Sequence, residues 1–136
     1  RDAGAEYGAA TGRPRRVGAF DAVASRYGVR MQGADELALT KLDVLSYMDK
    51  IPVCVAYDVD GERVTDFPRG ERLRVAKPIF EYFDGWKCDI SKCRKESDLP
   101  EQARAYIAAL EKMVDCPITC VSVGAERDEY IVRKSK

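Results

Sequence analysis

Residues 53–65 read VCVAYDVDGERVT, and this stretch decides the fold class. Residues 53–59 are mostly apolar and rich in valine, a composition that is typical of a buried strand. An Asp60-Gly61 pair follows at once, and such a pair favours the two-residue turn of an antiparallel hairpin. Residues 62–65 then continue as the second strand. We therefore expect a β-hairpin near the middle of the chain.

The segments on both sides of this hairpin alternate between helical and strand patterns. Apolar residues recur at helical spacing over residues 20–31 and again over residues 99–113, where Pro100 suits a first helical turn. Shorter patterns predict a strand at 37–39, a short helix at 43–49, strands at 72–75 and 79–83, an irregular stretch at 85–98, a buried strand at 118–123 and a terminal strand at 130–132. This order predicts an α/β fold with an antiparallel excursion and no internal domain boundary.

Charge and composition exclude several classes of function. The 136 residues contain 23 basic and 23 acidic side chains, so net charge provides no attraction to nucleic acid or to an anionic membrane. The chain contains no histidine, which excludes His-based metal sites and catalytic triads within it. No signal peptide or apolar membrane span is present, and we expect a cytoplasmic protein. The sequence begins with Arg1 and a Gly/Ala-rich stretch, which suggests a segment of a longer polypeptide.

The five cysteines are an odd number and do not suggest a disulfide framework. Cys88 and Cys93 are separated by four residues, and Cys116 and Cys120 by three. A four-thiolate zinc site is one alternative, although neither spacing matches the tighter CxxC pattern. We favour free thiols in a reducing compartment, and we predict no metal ligands in this chain.

A basic loop is the first candidate site. Residues 11–16 read TGRPRR, and residues 1–30 hold six arginines against three acidic side chains. Arginine binds carboxylate and phosphate through two parallel hydrogen bonds, and the neighbouring glycines let backbone N–H groups approach an anion. The alternative is a solvated basic loop without a ligand.

Residues 40–43 read TKLD after a short apolar strand, and they resemble the base-reading element of guanine-nucleotide proteins. A carboxylate at Asp43 accepts hydrogen bonds from guanine N1–H and from the 2-amino group, a pair of donors that adenine lacks. The stem of Lys41 can lie along the purine face with its ammonium in water. Alternatively, both side chains are simply solvated at the end of the strand.

The third candidate is Ser122-Val123-Gly124, which ends the last buried strand. A Ser-x-Gly turn there can direct backbone N–H groups at guanine O6. In an open α/β sheet, this turn and residues 40–43 would meet at the carboxyl edge, where ligands bind.

These elements, in this order, resemble the adenylosuccinate synthetase family. The resemblance rests on EYG (6–8) through TGRPRRVG (11–18), FDAVASRYGVR (20–30), ELALTKLDVL (36–45), VCVAYDVDG (53–61), GWKCDIS (85–91), LPEQARAYI (99–107) and SVGAERDEYI (122–131). It covers essentially all 136 residues and implies the carboxyl-terminal third of a longer chain. The implied fold is part of a larger mixed-sheet domain related to P-loop-type GTP-binding proteins.

The resemblance also implies site residues. The family's aspartate-binding loop, within residues 9–16, matches Ala9, Ala10, Thr11, Gly12, Arg13, Pro14 and Arg15. Arg13 additionally matches an IMP-binding arginine. GTP-binding positions match Arg15, Lys41, Leu42, Asp43, Ser122, Val123 and Gly124. Ala10 departs from the Thr-Thr that the family often has before the loop glycine, so one hydroxyl contact to aspartate is in doubt.

The implied activity is a ligase reaction that joins IMP and L-aspartate with GTP hydrolysis, in the AMP branch of purine biosynthesis. The implied partners are these three substrates and a second copy of the full-length enzyme, with no nucleic acid or membrane. The catalytic residues and the ligands of the Mg²⁺ cofactor would lie outside this chain, and we expect the isolated chain to be inactive. The alternative function is a non-catalytic guanine-nucleotide-binding or interaction module.

Overall fold

The computed structural model describes residues 1–133, which form two small sheets flanked by helices. The first sheet contains β1 (Phe20–Asp21), β3 (Lys50–Val59), β4 (Glu62–Val64) and β5 (Lys77–Asp84). In this sheet β3 pairs antiparallel with β4 and β5 and parallel with β1. The mixed parallel and antiparallel pairing, together with the helices, confirms the α/β class that the sequence predicts.

The second sheet joins distant parts of the chain. It contains β2 (Leu37–Leu39), β6 (Ile118–Ser122) and β7 (Tyr130–Val132), with β6 in the middle. The pairing of β2 with β6 is parallel, and that of β6 with β7 is antiparallel. Because β2 and β6 run in the same direction, the segments that follow them leave the sheet at the same edge.

Three α-helices and two 3₁₀ turns connect the strands. Their bounds are α1 Ala22–Gln32, α2 Glu71–Val75 and α3 Glu101–Val114, with 3₁₀ turns at Asp43–Leu45 and Glu96–Asp98. The helix predicted at 99–113 is confirmed as α3, with Pro100 directly before its first residue. The short helix predicted at 43–49 is limited to the first 3₁₀ turn and a hydrogen-bonded turn at residues 46–47.

Helix α3 lies at the centre of the core because its apolar residues share one face. Its fully buried residues are Ala103, Tyr106, Ile107, Leu110 and Val114, which follow the helical repeat. Except for Val114, these residues pack in one cluster with residues of both sheets, including Ile51, Val53, Ile118, Val121 and Ile131. Trp86 joins this cluster, and its indole N–H donates to Ser46 Oγ at 2.8 Å. Trp86 and Tyr106 are therefore packing residues.

One expected strand is wrong. The alternation of Arg72, Leu73, Arg74 and Val75 predicts a strand, but these residues lie in α2. Leu73 and Val75 are both exposed, so the alternating pattern does not correspond to a sheet with one buried face. Residues 65–76 connect β4 to β5, and α2 is a short helix near the end of this connection.

The carboxylate of Asp21 ties α1 to the first sheet. Its Oδ1 accepts the Ala24 N–H at 2.9 Å and caps the helix, and its Oδ2 accepts the hydroxyl of Tyr57 on β3. Burial of the phenol, and then this hydrogen bond to Asp21, raise the pKa of Tyr57. Both carboxylate oxygens are thus used, one within the helix and one across to the sheet.

We expect Asp21→Ala to lower the free energy of unfolding by about 2 to 4 kcal/mol, because it removes a helix cap and leaves a buried hydroxyl unpaired. Asp21→Asn retains a capping oxygen and should lose less. Urea denaturation followed by circular dichroism measures both changes. Asp35→Ala, at an exposed position, is the matched control and should shift stability by less than about 0.5 kcal/mol. Equal effects of Asp21→Ala and Asp35→Ala would contradict this role.

Candidate functional site

The basic loop is closed by its own backbone. Tyr7 and Pro14 form an isolated antiparallel bridge, the Gly8 N–H donates to the Arg13 carbonyl at 2.8 Å, and the Gly12 N–H donates to the Gly8 carbonyl at 2.8 Å. Gly12 has a φ of 63°, in the left-handed region that favours glycine. The loop therefore folds back on itself and is held by its own backbone hydrogen bonds, and its tip is exposed.

Within this loop, the Arg13 side chain is available to a ligand. Its backbone N–H donates to Thr11 Oγ1 at 3.3 Å, which fixes the turn from which the side chain projects. The guanidinium is exposed, and it forms no hydrogen bond or ion pair with any of residues 1–133. Ala9 and Ala10 at the tip are also exposed and carry no polar side chain. Arg13 thus presents its full set of donors to solvent.

The two base-reading candidates adjoin each other across the sheet edge. Because β2 and β6 are parallel, residues 40–43 and 122–124 emerge side by side. Ser122 Oγ accepts the Lys41 N–H at 2.8 Å, and the Ser122 carbonyl accepts the Leu42 N–H at 3.1 Å. Lys41 has a φ of 60°, an uncommon conformation for a residue with a side chain. The Ser122 hydroxyl therefore helps to hold a strained backbone at this edge.

The carboxylate of Asp43 has unused hydrogen-bonding capacity. Asp43 begins the first 3₁₀ turn and is half-buried. Its Oδ1 is shielded from solvent and accepts no hydrogen bond from the residues that the structure describes. A shielded carboxylate oxygen without a donor is costly, so this atom can gain free energy from a ligand that brings one.

Only some of the backbone N–H groups of the Ser-x-Gly turn are available to donate a hydrogen bond to a ligand. The Val123 N–H already donates to the Glu129 carbonyl at 2.9 Å, whereas the Gly124 N–H has no backbone acceptor within residues 1–133. A Cβ atom at Gly124 would lie 2.0 Å from Glu129 Oε2. The Glu129 side chain therefore packs against position 124, where only glycine leaves enough room. The turn therefore offers one backbone donor, at Gly124, rather than several.

Glu6 connects the loop to the strand edge, and although residues 6–8 carry part of the family resemblance, no pattern in the sequence assigns Glu6 this role. Its Oε2 accepts from Arg15 Nη1 at 3.0 Å, and its Oε1 pairs with the ammonium of Lys41, which also donates to the Gly4 carbonyl at 2.8 Å. The Lys41 ammonium is therefore paired with Glu6, while half of the Lys41 side-chain surface remains exposed. The hydrogen bond from Lys41, and secondarily that from Arg15, lower the pKa of the Glu6 carboxyl. Glu6 and Lys41 are too far apart in sequence for any local pattern to link them.

The cysteines do not form a metal site in the part of the chain that the structure describes. All five are free thiols, and residues 1–133 contain no group of three His, Cys, Asp or Glu side chains arranged to hold a metal ion. The four cysteines of the zinc alternative are therefore not brought together among these residues. Among the same residues, no helix has the length and the apolar character needed to cross a membrane.

The fold and the site define a mixed α/β protein in which a strand edge with an unpartnered carboxylate is joined to an arginine-rich loop. Comparison with known proteins makes the assignment specific. The family model described as adenylosuccinate synthetase matches residues 1–131. The chain belongs to the adenylosuccinate synthetase family.

Individual relatives agree with this assignment. The chain is 52% identical to the adenylosuccinate synthetase of Cyanothece sp. and 50% identical to that of Prochlorococcus marinus, in both cases over 96% of its length. It covers 29% and 30% of those two proteins. A fully ligated adenylosuccinate synthetase from Plasmodium falciparum superposes with a TM-score of 0.92 at 40% identity, over 98% of this chain and 33% of the other. The chain thus spans about 30% of the length of the curated relatives that it matches.

The pKa of Glu6 provides a test of the connection between loop and strand edge. We expect carboxyl NMR titration to place it below the usual glutamate range, and Lys41→Gln to raise it, because the substitution removes the main stabilising charge. The contact should be intact above the unfolded-state pKa and should be lost as the pH falls through the lowered folded-state value. Lys87→Gln, which removes the partner of Asp49, is the control and should leave Glu6 unchanged. An unaltered Glu6 pKa in Lys41→Gln would refute the contact.

Proposed function

We propose that this chain is part of a GTP-dependent ligase that joins IMP and L-aspartate to form adenylosuccinate, GDP and phosphate. In this proposal, residues 1–136 supply guanine recognition and the aspartate loop. The single observation that carries it is the shielded, unpartnered Oδ1 of Asp43, located beside Ser122 where two parallel strands end. Family membership supports the same assignment.

Guanine recognition would use three groups at the strand edge. The Asp43 carboxylate accepts the N1–H and the 2-amino group of the base, which supplies its shielded oxygen with a donor. The Gly124 N–H donates to the guanine O6, since it is the donor of the Ser-x-Gly turn that remains unused. The Lys41 stem lies along the face of the base, with its ammonium held at Glu6. Leu42 and Val123 contribute backbone and buried packing beneath these groups.

Substrate binding would use the arginine-rich loop. The Arg13 guanidinium, free of partners within the described chain, pairs with the aspartate carboxylates and lies near the IMP ribose. Arg15 reaches the aspartate and GTP from a position already fixed by Glu6. The loop residues Ala9, Ala10, Thr11, Gly12 and Pro14 shape the turn that closes over the substrate. Thr11 is the one hydroxyl at the tip, and in the ligand-free chain its oxygen caps the Arg13 N–H.

The remaining chemistry would be performed by the part of the relatives that this chain does not span. We propose that GTP phosphorylates the 6-oxygen of IMP and that the aspartate amine then displaces this phosphate. The general base and the phosphate-binding loop are assigned to that other part, and so are the ligands of Mg²⁺, which neutralises phosphate charge when bound. The isolated chain should therefore show no turnover. We further propose a cytoplasmic enzyme that acts as a homodimer.

Asp43→Asn tests guanine recognition in a full-length synthetase that contains this chain. We expect the KM for GTP to rise about tenfold to a hundredfold, because a charge-assisted pair of hydrogen bonds is lost. Xanthosine triphosphate should become a better substrate than in the wild type, since the new amide can donate to its 2-carbonyl. A coupled assay of adenylosuccinate formation measures both values.

Asp49→Asn is the matched control for this substitution, because Asp49 is an exposed carboxylate paired with Lys87. It should leave both KM values within about twofold. An Asp43→Asn enzyme that discriminates GTP from the xanthine nucleotide as the wild type does would rule out the assignment of Asp43. Guanine-selective binding without turnover by the full-length protein would instead favour a non-catalytic binding module.

Arg13→Ala tests the aspartate loop in the same enzyme. We expect the KM for aspartate to rise about tenfold to a hundredfold and the KM for GTP to change little, because a bidentate carboxylate contact is removed. Arg13→Lys should recover only part of the loss, since an ammonium cannot form both parallel hydrogen bonds. Arg63→Ala on β4 is the control, and steady-state kinetics with varied aspartate is the measurement. A normal aspartate KM in Arg13→Ala would contradict this role.

A further inference from the structure

One carboxylate lies between two cations that belong to different elements of the site. Glu6 presents Oε2 to Arg15 of the loop and Oε1 to Lys41 of the strand edge. We propose that Glu6 is a positioning residue that holds Lys41 for guanine and couples the guanine site to the aspartate loop. This inference rests on the function proposed above.

The geometry of Glu6 suits a fixed bridge. Its backbone N–H donates to the Arg1 carbonyl at 3.0 Å, and its carbonyl accepts the Arg15 N–H at 3.0 Å. Only 20% of its side chain is exposed, whereas the Arg15 side chain is 58% exposed. Most of the conformational freedom of Glu6 is therefore already lost in the folded chain, and holding two cations costs little further entropy.

Lys41 is restrained at both ends. Its backbone is held in the left-handed region, with the N–H on Ser122 Oγ, and its ammonium is held by Glu6 and by the Gly4 carbonyl. Half of the side-chain surface remains exposed, so the stem is open to a stacked base although its charged end is engaged. Without Glu6, the ammonium would keep one neutral acceptor, and the stem would sample other rotamers.

The shared carboxylate makes the two ligand sites interdependent. A base stacked on Lys41 restrains the ammonium and hence Glu6, and Glu6 in turn restrains Arg15 at the end of the loop. Aspartate bound at the loop acts along the same contacts in the opposite direction. Thermodynamic coupling of this kind is reciprocal, so GTP should increase the affinity for aspartate by the same factor as aspartate increases the affinity for GTP.

The test is Glu6→Gln in a full-length synthetase that contains this chain, with Glu62→Gln as control. Glu62 is an exposed glutamate paired with Arg72 at 3.1 Å, and its pair does not involve any residue assigned to the site. We expect Glu6→Gln to raise the KM for GTP about fivefold, with kcat within about twofold, because an ion pair of this exposure contributes modestly. The dissociation constants of GDP with and without aspartate, measured by calorimetry, should differ in the wild type and should agree in Glu6→Gln.

Conservative substitution separates positioning from a merely structural role. Glu6→Asp keeps the charge but is shorter by one methylene, so it should restore the contact with one cation and part of the GTP affinity without restoring the coupling. Tighter GTP binding in Glu6→Gln would overturn the proposal, because it would mean that Glu6 only masks the two cations. Equal GDP affinity with and without aspartate in the wild type would overturn it as well.

Asp43→Asn distinguishes failure of this inference from failure of the function on which it rests. If Asp43→Asn loses guanine preference and Glu6→Gln behaves as the wild type, guanine recognition stands and the role of Glu6 is refuted. If both variants keep wild-type preference and affinity, the guanine site itself is refuted and the role of Glu6 falls with it.

Discussion

The parallel pairing of β2 with β6 is the constraint on which the rest of this structure depends. Leu37 pairs with Ile118 and Leu39 pairs with Val121, so two segments about 80 residues apart in sequence run side by side. The connection between them contains β3, β4 and β5 of the first sheet as well as α3, and closing so long a loop is entropically costly. The buried apolar cluster that includes α3 and both sheets offsets that cost. The pairing then places residues 40–43 and 122–124 at one edge.

An arginine with little solvent exposure secures the far side of the same sheet. Arg133 follows β7, its side chain is 10% exposed, and its guanidinium contacts Glu96 at 2.9 Å and Glu111 at 3.3 Å. It also donates to the Ile118 carbonyl at 2.6 Å, while Glu111 accepts the Ile118 N–H at 2.8 Å. A charge removed from water needs such partners to be tolerated. The start of β6 is thereby fixed to α3, which keeps the strand end that carries Ser122 in register.

The candidate site combines strain with unused polar groups, whereas the core is regular and apolar. Lys41 has a positive φ, Asp43 has a shielded oxygen without a donor, and Arg13 is unpaired within the described chain. The backbone conformation of Lys41 and the unsatisfied oxygen of Asp43 lower the stability of the free chain, whereas the exposed Arg13 guanidinium is simply solvated. Strained backbone is tolerated where surrounding contacts over-determine it, as Ser122 and Glu6 do around Lys41.

Local patterns in the sequence determined the class of fold and indicated which residues are candidates for the site. The helical repeat of residues 99–113 predicted α3 because burial of one helical face leaves a periodic record in the sequence, and the apolar run at 118–123 predicted β6 for a similar reason. The same reasoning failed at residues 72–75, where alternation occurs without a buried face. Only the tertiary structure decided that β2 pairs with β6, that Lys41 adopts a left-handed conformation and that Glu6 holds both Lys41 and Arg15. These features depend on contacts between residues far apart in the chain, and such contacts leave no periodic signal in the local sequence.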